Sequence, residues 1–149
     1  MFGYDNFIVD LGGVLYRIDE SNASNGLMAF SELCRSDFLL VIETEGFKNI
    51  IVNYEKGIIS TKQFYEGMCN SIKLKCSFEE FKIAWNSTLY CFFDDAVENI
   101  KKLQSKGNVV LLSNTNELHF RRFEPESRGI LPLFDACFFS FQIGMRKPD

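Results

Sequence analysis

Three short apolar runs, each closed by small or polar residues, constrain the fold of this 149-residue chain more than any other feature. Phe7-Ile8-Val9-Asp10-Leu11 ends in Gly12-Gly13, Val109-Val110-Leu111-Leu112 in Ser113-Asn114-Thr115, and Ala136-Cys137-Phe138-Phe139 in Ser140. Continuous runs of this length between turn signals predict strands buried on both faces, as in a parallel sheet. A helix is predicted over residues 117–123, between the second and third runs. Residues 96–106 read as an amphipathic helix with Val97, Ile100 and Leu103 on one stripe. Asp94 or Asp95 caps its start, and Gly107 takes the left-handed position after its end. Strand and helix in alternation give βαβ units, hence an open α/β, Rossmann-like parallel sheet of about three strands.

The stretch from about residue 18 to residue 89 has a different texture. Ser60-Thr61-Lys62-Gln63 and Ser77-Phe78-Glu79-Glu80 both fit the capping box, in which Ser bonds the amide three residues on and Gln or Glu reaches back. Phe64, Met68 and Ile72 then fall on one helical face, and Phe78, Phe81 and Trp85 on another. Gly57 ends one helix just before Ser60 opens the next. The expected organisation is therefore an α/β core made of residues 1–17 and 90–149, with an inserted helical bundle, residues 18–89, as a cap.

Composition narrows the function classes. The net charge is −4 and the basic residues are scattered, which argues against a nucleic-acid-binding module with its basic stripe. Sixteen Phe residues are more than usual and read first as core filler. The five cysteines form no C-x-x-C pair, which excludes a zinc knuckle pattern and fits a reducing compartment. No basic flank or apolar leader precedes the first strand, and no apolar run approaches the ~20 residues that cross a bilayer. The expectation is a cytoplasmic protein whose partner is a small molecule, neither nucleic acid nor membrane.

Asp10 lies at the carboxyl end of the first run, where open α/β sheets place ligands. On its own an Asp there is commonest as a cap or turn residue, but Gly12 and Gly13 let the backbone approach a ligand and turn amides toward an anion. Ser113 stands at the same level on the second run, and Asn114-Thr115 precede a helix whose N-terminus favours negative charge. Lys147, after the third run, brings a cation. Each has a structural reading as cap or solvated surface residue; what separates them from it is recurrence at three strand ends in one order.

In that order the chain resembles the haloacid dehalogenase superfamily of hydrolases. NFIVDLGGVL is similar to the family's first motif, an apolar run followed by D-x-D-G-[TV]. VVLLSNTNELH resembles the second, a run ending in Ser or Thr, and GMRKPD the third, centred on Lys. NYEKGIISTKQFYEGM looks like a turn of the helical cap that one subgroup inserts after its first motif. The resemblance implies that Asp10 is the nucleophile, forming an aspartyl-phosphate that water hydrolyses. It implies that Mg²⁺ is held by the Asp10 carboxylate and the Gly12 carbonyl with waters. Ser113 and the Asn114 amide would hold phosphate oxygens, and Lys147 would balance the charge on nucleophile and phosphoryl group. The activity implied is hydrolysis of a small phosphorylated metabolite.

Two departures qualify the likeness. The family's second Asp, its usual general acid, is Gly12 here; a branch written D-L-G-[GN]-V shares this feature and includes phosphatases of glucose 1-phosphate. A sugar leaving through its anomeric oxygen needs protonation less than an ordinary alkoxide does, and His119 is a candidate substitute acid. The fourth motif, an acidic pair after a further strand, is not present, so the chain reads as C-terminally truncated with residues 7–11 as a sheet edge. Asp94-Asp95 does not replace that pair, since it precedes a helix. Two other readings stand beside the phosphatase. One is a metal-free haloacid dehalogenase, with Arg17 or Arg35 on a substrate carboxylate, although Gly12 does not match the aromatic those enzymes carry. The other is a non-catalytic binding or regulatory domain.

Overall fold

A computed structural model describes residues 6–148. Residues 1–5 and Asp149, the outermost parts of the expected α/β core, lie outside the described residues. The three apolar runs form β1 (Asn6–Val9), β4 (Asn108–Ser113) and β5 (Ala136–Phe139), parallel and ordered β1-β4-β5. Ile8 pairs with Val110, which pairs in turn with Ala136, and Ser113 aligns with Phe139. The strand ends that carry the polar residues are thereby brought to one side of the sheet.

Burial departs from the two-faced expectation. Val109 and Leu111 are fully buried against Ile100 of α6 (Ala96–Gln104) and against Phe123 and Phe139. The opposite face carries Ile8, 71% exposed, with Phe138 also exposed and Val110 and Leu112 half-buried. Parallel sheets are as a rule covered on both faces; here the described residues cover one face fully and the other in part, and β1 lies at the edge. The caps of α6 also differ. Asp95 occupies the N-cap but bonds the Asn99 side chain rather than a helix amide, and the helix closes on Ser105 in the right-handed region instead of on a left-handed Gly107.

A second, antiparallel pair was not anticipated. β2 (Tyr16–Ile18) pairs with β3 (Leu89–Phe92), aligning Tyr16 with Phe92 and Ile18 with Leu89. These strands flank a run of helices: α1 (Glu20–Met28), α2 (Arg35–Ile42), α3 (Glu45–Glu55), α4 (Thr61–Ile72) and α5 (Phe78–Asn86). Both capping boxes are formed. The Ser60 hydroxyl accepts the Gln63 amide while the Gln63 side chain accepts that of Ser60, and Ser77 and Glu80 repeat the arrangement. Phe64, Met68, Ile72 and Phe81 are wholly buried in a cluster of the helices' own, whereas Phe78 lies at its margin against Tyr65. Among the described residues no helix is long and apolar enough to cross a membrane.

Polar contacts tie these helices to the sheet. The Leu118 amide of α7 (Glu117–Phe123) donates to the Tyr54 hydroxyl at 3.1 Å, Tyr54 meets the Thr61 hydroxyl at 2.9 Å, and Thr61 donates to Glu117 at 2.7 Å. Gly57 has φ +64°, and a Cβ there would meet the Phe141 carbonyl oxygen at 2.3 Å, so only glycine allows this approach of the α3–α4 turn to α8 (Ser140–Ile143).

Candidate active site

β1 ends at Val9, and the chain then folds into a tight loop around Leu11, whose carbonyl accepts the amides of Val14, Leu15 and Tyr16. Gly13 supplies the loop's positive φ of 74°. Its amide donates to the Tyr16 carbonyl at 2.9 Å, so it is already engaged and not turned to an anion as the sequence suggested. Asp10 stands at the start of this loop. One carboxylate oxygen accepts the Leu11 amide at 2.7 Å, and the other lies 3.0 Å from Lys147 Nζ. The Asp10 side chain is 43% exposed and that of Lys147 33%, so the pair borders solvent.

Lys147 is held from several directions. Its ammonium also donates to the Leu112 carbonyl at 2.8 Å. Its backbone exchanges two hydrogen bonds with the Asn114 side chain: the Lys147 amide donates to Oδ1 at 2.8 Å, and Nδ2 donates to the Lys147 carbonyl at 3.0 Å. Asn114 therefore acts like a strand partner for the 146–148 segment. Ser113 is 2% exposed, yet its hydroxyl reaches only the Asn114 carbonyl at 3.5 Å, the long limit of a hydrogen bond. A buried hydroxyl with so weak a partner retains capacity for a ligand oxygen. Behind it, Ser140 accepts the Thr115 amide and donates to the Thr115 carbonyl, fixing the end of β4 against β5.

A cavity of about 410 Å³ is lined at the sheet by Leu11, Gly12, Ser113, Asn114 and Thr115; Asp10 and Lys147 are not among its lining residues. Helices α1 to α5 supply most of its other walls, with Ile18 of β2, Leu89 of β3 and His119 of α7. Arg146 lines it too and is paired with Glu55 of α3. Sequence reasoning missed this pair, because no spacing signal links residues that far apart.

His119, the candidate substitute acid, faces the cavity but is committed elsewhere. Its ring stacks on Trp85 at 5.2 Å, Nε2 meets the Trp85 carbonyl at 3.3 Å, and Nδ1 meets the Asn116 amide group at 3.2 Å. Enclosure pushes its pKa down to about 4, only partly opposed by the Trp85 carbonyl. A neutral ring whose N–H is engaged with the Trp85 carbonyl is not the general acid, so its place is structural. Arg17 packs over the Phe93 ring at 5.1 Å, and Arg35 is exposed at the start of α2; neither is among the residues lining the cavity. Among the described residues no group of three or more His, Cys, Asp or Glu could enclose a metal ion.

No protein-family model matches the chain. Solved structures do. A haloacid dehalogenase family enzyme of Bacteroides thetaiotaomicron aligns with a TM-score of 0.85 at 25% identity, over 99% of this chain and 74% of that one. Its wild-type form in complex with magnesium and inorganic phosphate gives 0.81 at 26% identity over the same shares. A Porphyromonas gingivalis protein described as a predicted hydrolase of the same type gives 0.77 at 24% identity, over 97% of this chain and 70% of that one, a likeness of fold alone.

Proposed function

The chain belongs by its fold to the haloacid dehalogenase superfamily of hydrolases, and on that premise we propose that it cleaves a small phosphate monoester by nucleophilic attack of Asp10 on phosphorus. The observation that carries the reading is the Asp10–Lys147 pair at 3.0 Å beside the weakly partnered Ser113 hydroxyl. A carboxylate bonded to a backbone amide and a lysine is held oriented, as a nucleophile requires. Residues 18–89 act as the cap that closes the cavity over the substrate.

The chemistry runs in two displacements. An Asp10 oxygen bonds to phosphorus while the ester oxygen departs with its electron pair, and water then cleaves the aspartyl-phosphate and restores the carboxylate. Ser113 and the Asn114 amide bind phosphoryl oxygens. Lys147 offsets the charge that builds on them, a contribution that falls to preorganised groups in a partly dehydrated site.

The residues present fit Mg²⁺. That ion keeps several waters and is commonly held by one or two carboxylates together with a substrate phosphate, and here the Asp10 carboxylate and the Gly12 carbonyl would be its protein ligands. When bound, it supplies neutralisation of phosphate charge and in-line orientation. The magnesium and phosphate bound to the Bacteroides enzyme support this assignment.

Gly12 stands where a general acid would, so the leaving group must depart without one. Sugars leaving through the anomeric oxygen and aryl oxides both meet that requirement. Phosphate release from acetyl phosphate and from a panel of esters, with and without a chelator, tests the proposal. Turnover should vanish with the chelator and in Asp10→Asn; an Asn variant as active as the wild type overturns it.

A further inference from the structure

The cavity beside Ser113 changes character along its length. Its sheet end, at Gly12, Ser113 and Asn114, is polar and suits an anion. The helical end presents Ile42 of α2, Phe47 and Ile51 of α3 and Trp85 of α5, whereas Leu27, Phe38 and Met68, which also line it, are almost wholly buried. Two of the charged groups on that wall already have partners: Lys48 pairs with Glu43 at 2.6 Å, and Glu55 with Arg146. His119 is held by Trp85 and Asn116.

A polyhydroxylated ligand gives up hydrogen bonds to water on entering a cavity and needs a partner for each group it buries. This wall offers few. Glu20 and Ser24, one turn apart on α1, and the Thr88 hydroxyl remain for one or two polar substituents. Resting on the phosphatase reading, we infer that the substrate class is a phosphate monoester of an apolar, ring-bearing hydroxyl compound, an aryl phosphate rather than a sugar phosphate. The cavity, at about 410 Å³, falls within the ~300–1,000 Å³ of small-molecule sites and has room for a fused ring system.

Gly12 is compatible with an aryl leaving group, as with an anomeric one, so the cavity wall alone decides between them. Asp10 forms its bond to phosphorus, the bond from phosphorus to the aryl oxygen breaks, and the electron pair stays on the aryl oxide, which the ring stabilises by delocalisation. The oxide then takes its proton from water. In the second displacement water adds to phosphorus, and the bond from Asp10 to phosphorus breaks.

The test is a binding measurement, separate from turnover. Calorimetry with magnesium present compares 1-naphthylmethylphosphonate with methylphosphonate on the chain and on Ile51→Asn. Burial of the ring system should tighten binding by about tenfold or more in the wild type, and most of that preference should go in the variant. Ile51 is half-buried, and thermal melting reports whether its variant folds. Should it not, Ser24→Trp fills the same space from a half-buried position and should remove the same preference. Equal affinities for the two phosphonates in the wild type, or tighter binding of a glucose phosphonate, overturn the inference. Naphthyl preference without any Asp10-dependent hydrolysis of acetyl phosphate would overturn the phosphatase reading and leave the cavity's selectivity standing.

Discussion

Asn114 and Lys147 are joined by two hydrogen bonds, the Asn114 side chain accepting the Lys147 amide and donating to its carbonyl at 2.8 and 3.0 Å. A side chain thus does what a neighbouring strand would do, anchoring the segment that carries the ammonium to the end of β4. The ammonium in turn meets Asp10 at the end of β1.

Lys147→Met and Asn114→Ala should therefore differ in kind. Removing the ammonium takes away charge stabilisation and should lower kcat by ~10²–10³-fold. Asn114→Ala leaves the ammonium and the backbone amide at position 114 but frees the Lys147 backbone, and a loss of about tenfold is expected. Steady-state kinetics with acetyl phosphate distinguish the two; equal losses would mean that Asn114 matters as much as the charge.

A carboxylic acid restored at position 12 should widen the range of leaving groups. The backbone there is not left-handed, but a Cβ would meet the tip of Ile18 at 3.2 Å, so the tolerant background is Ile18→Val. In that background Gly12→Asp should raise turnover of alkyl phosphates by up to ~10²-fold and leave aryl phosphates nearly unchanged. A plot of rate against leaving-group pKa checks this, and an unaltered slope would place the proton donor elsewhere.

The sheet was legible because β1, β4 and β5 are runs of apolar residues with hard stops, and the helices 61–72 and 78–86 because their capping boxes are local in sequence. The β2–β3 pair was not. Three and four residues are too few to show a period, and the partners are separated by five helices. At the site, Asp10, Ser113 and Lys147 could be nominated because each follows an apolar run, but their distances come from strand register, which no local pattern encodes. Arg146 with Glu55, and the apolar wall of Leu27, Phe47 and Ile51, depend on how helices pack and left no trace in spacing. Gly13 misled for a related reason: its positive φ serves a loop that consumes its own amide.

The hydrogen-bond chain from Leu118 through Tyr54 and Thr61 to Glu117 links the helices to α7, and Tyr54→Phe breaks it at its centre. The Leu118 amide is then buried without a partner, at a cost of ~1–3 kcal/mol. Phe64→Ala, which empties a wholly buried site stacked on Tyr54 at 4.1 Å, should cost ~3–5 kcal/mol. Urea unfolding measures both, and a Tyr54→Phe variant as stable as the wild type would mean that water satisfies that amide.

His119 should set part of the acid limb of stability. Its pKa is about 4 in the folded chain because enclosure disfavours the charged ring, against an ordinary value near 6.5 when unfolded. Between these values the unfolded chain binds the proton and the folded one does not, so stability falls as pH drops. The slope is ~1.4 kcal/mol per pH unit, for a total of roughly 3 kcal/mol lost between pH 6.5 and 4. Above pH 6.5 the contribution is complete and flat. His119→Gln keeps an acceptor for Asn116 and a donor for the Trp85 carbonyl but does not titrate, so its stability should vary less across this window while other carboxylates, Glu117 among them, still titrate below it. Urea midpoints at pH 7, 5.5 and 4.5 for both proteins provide the comparison, and parallel losses would show that His119 is not the group responsible.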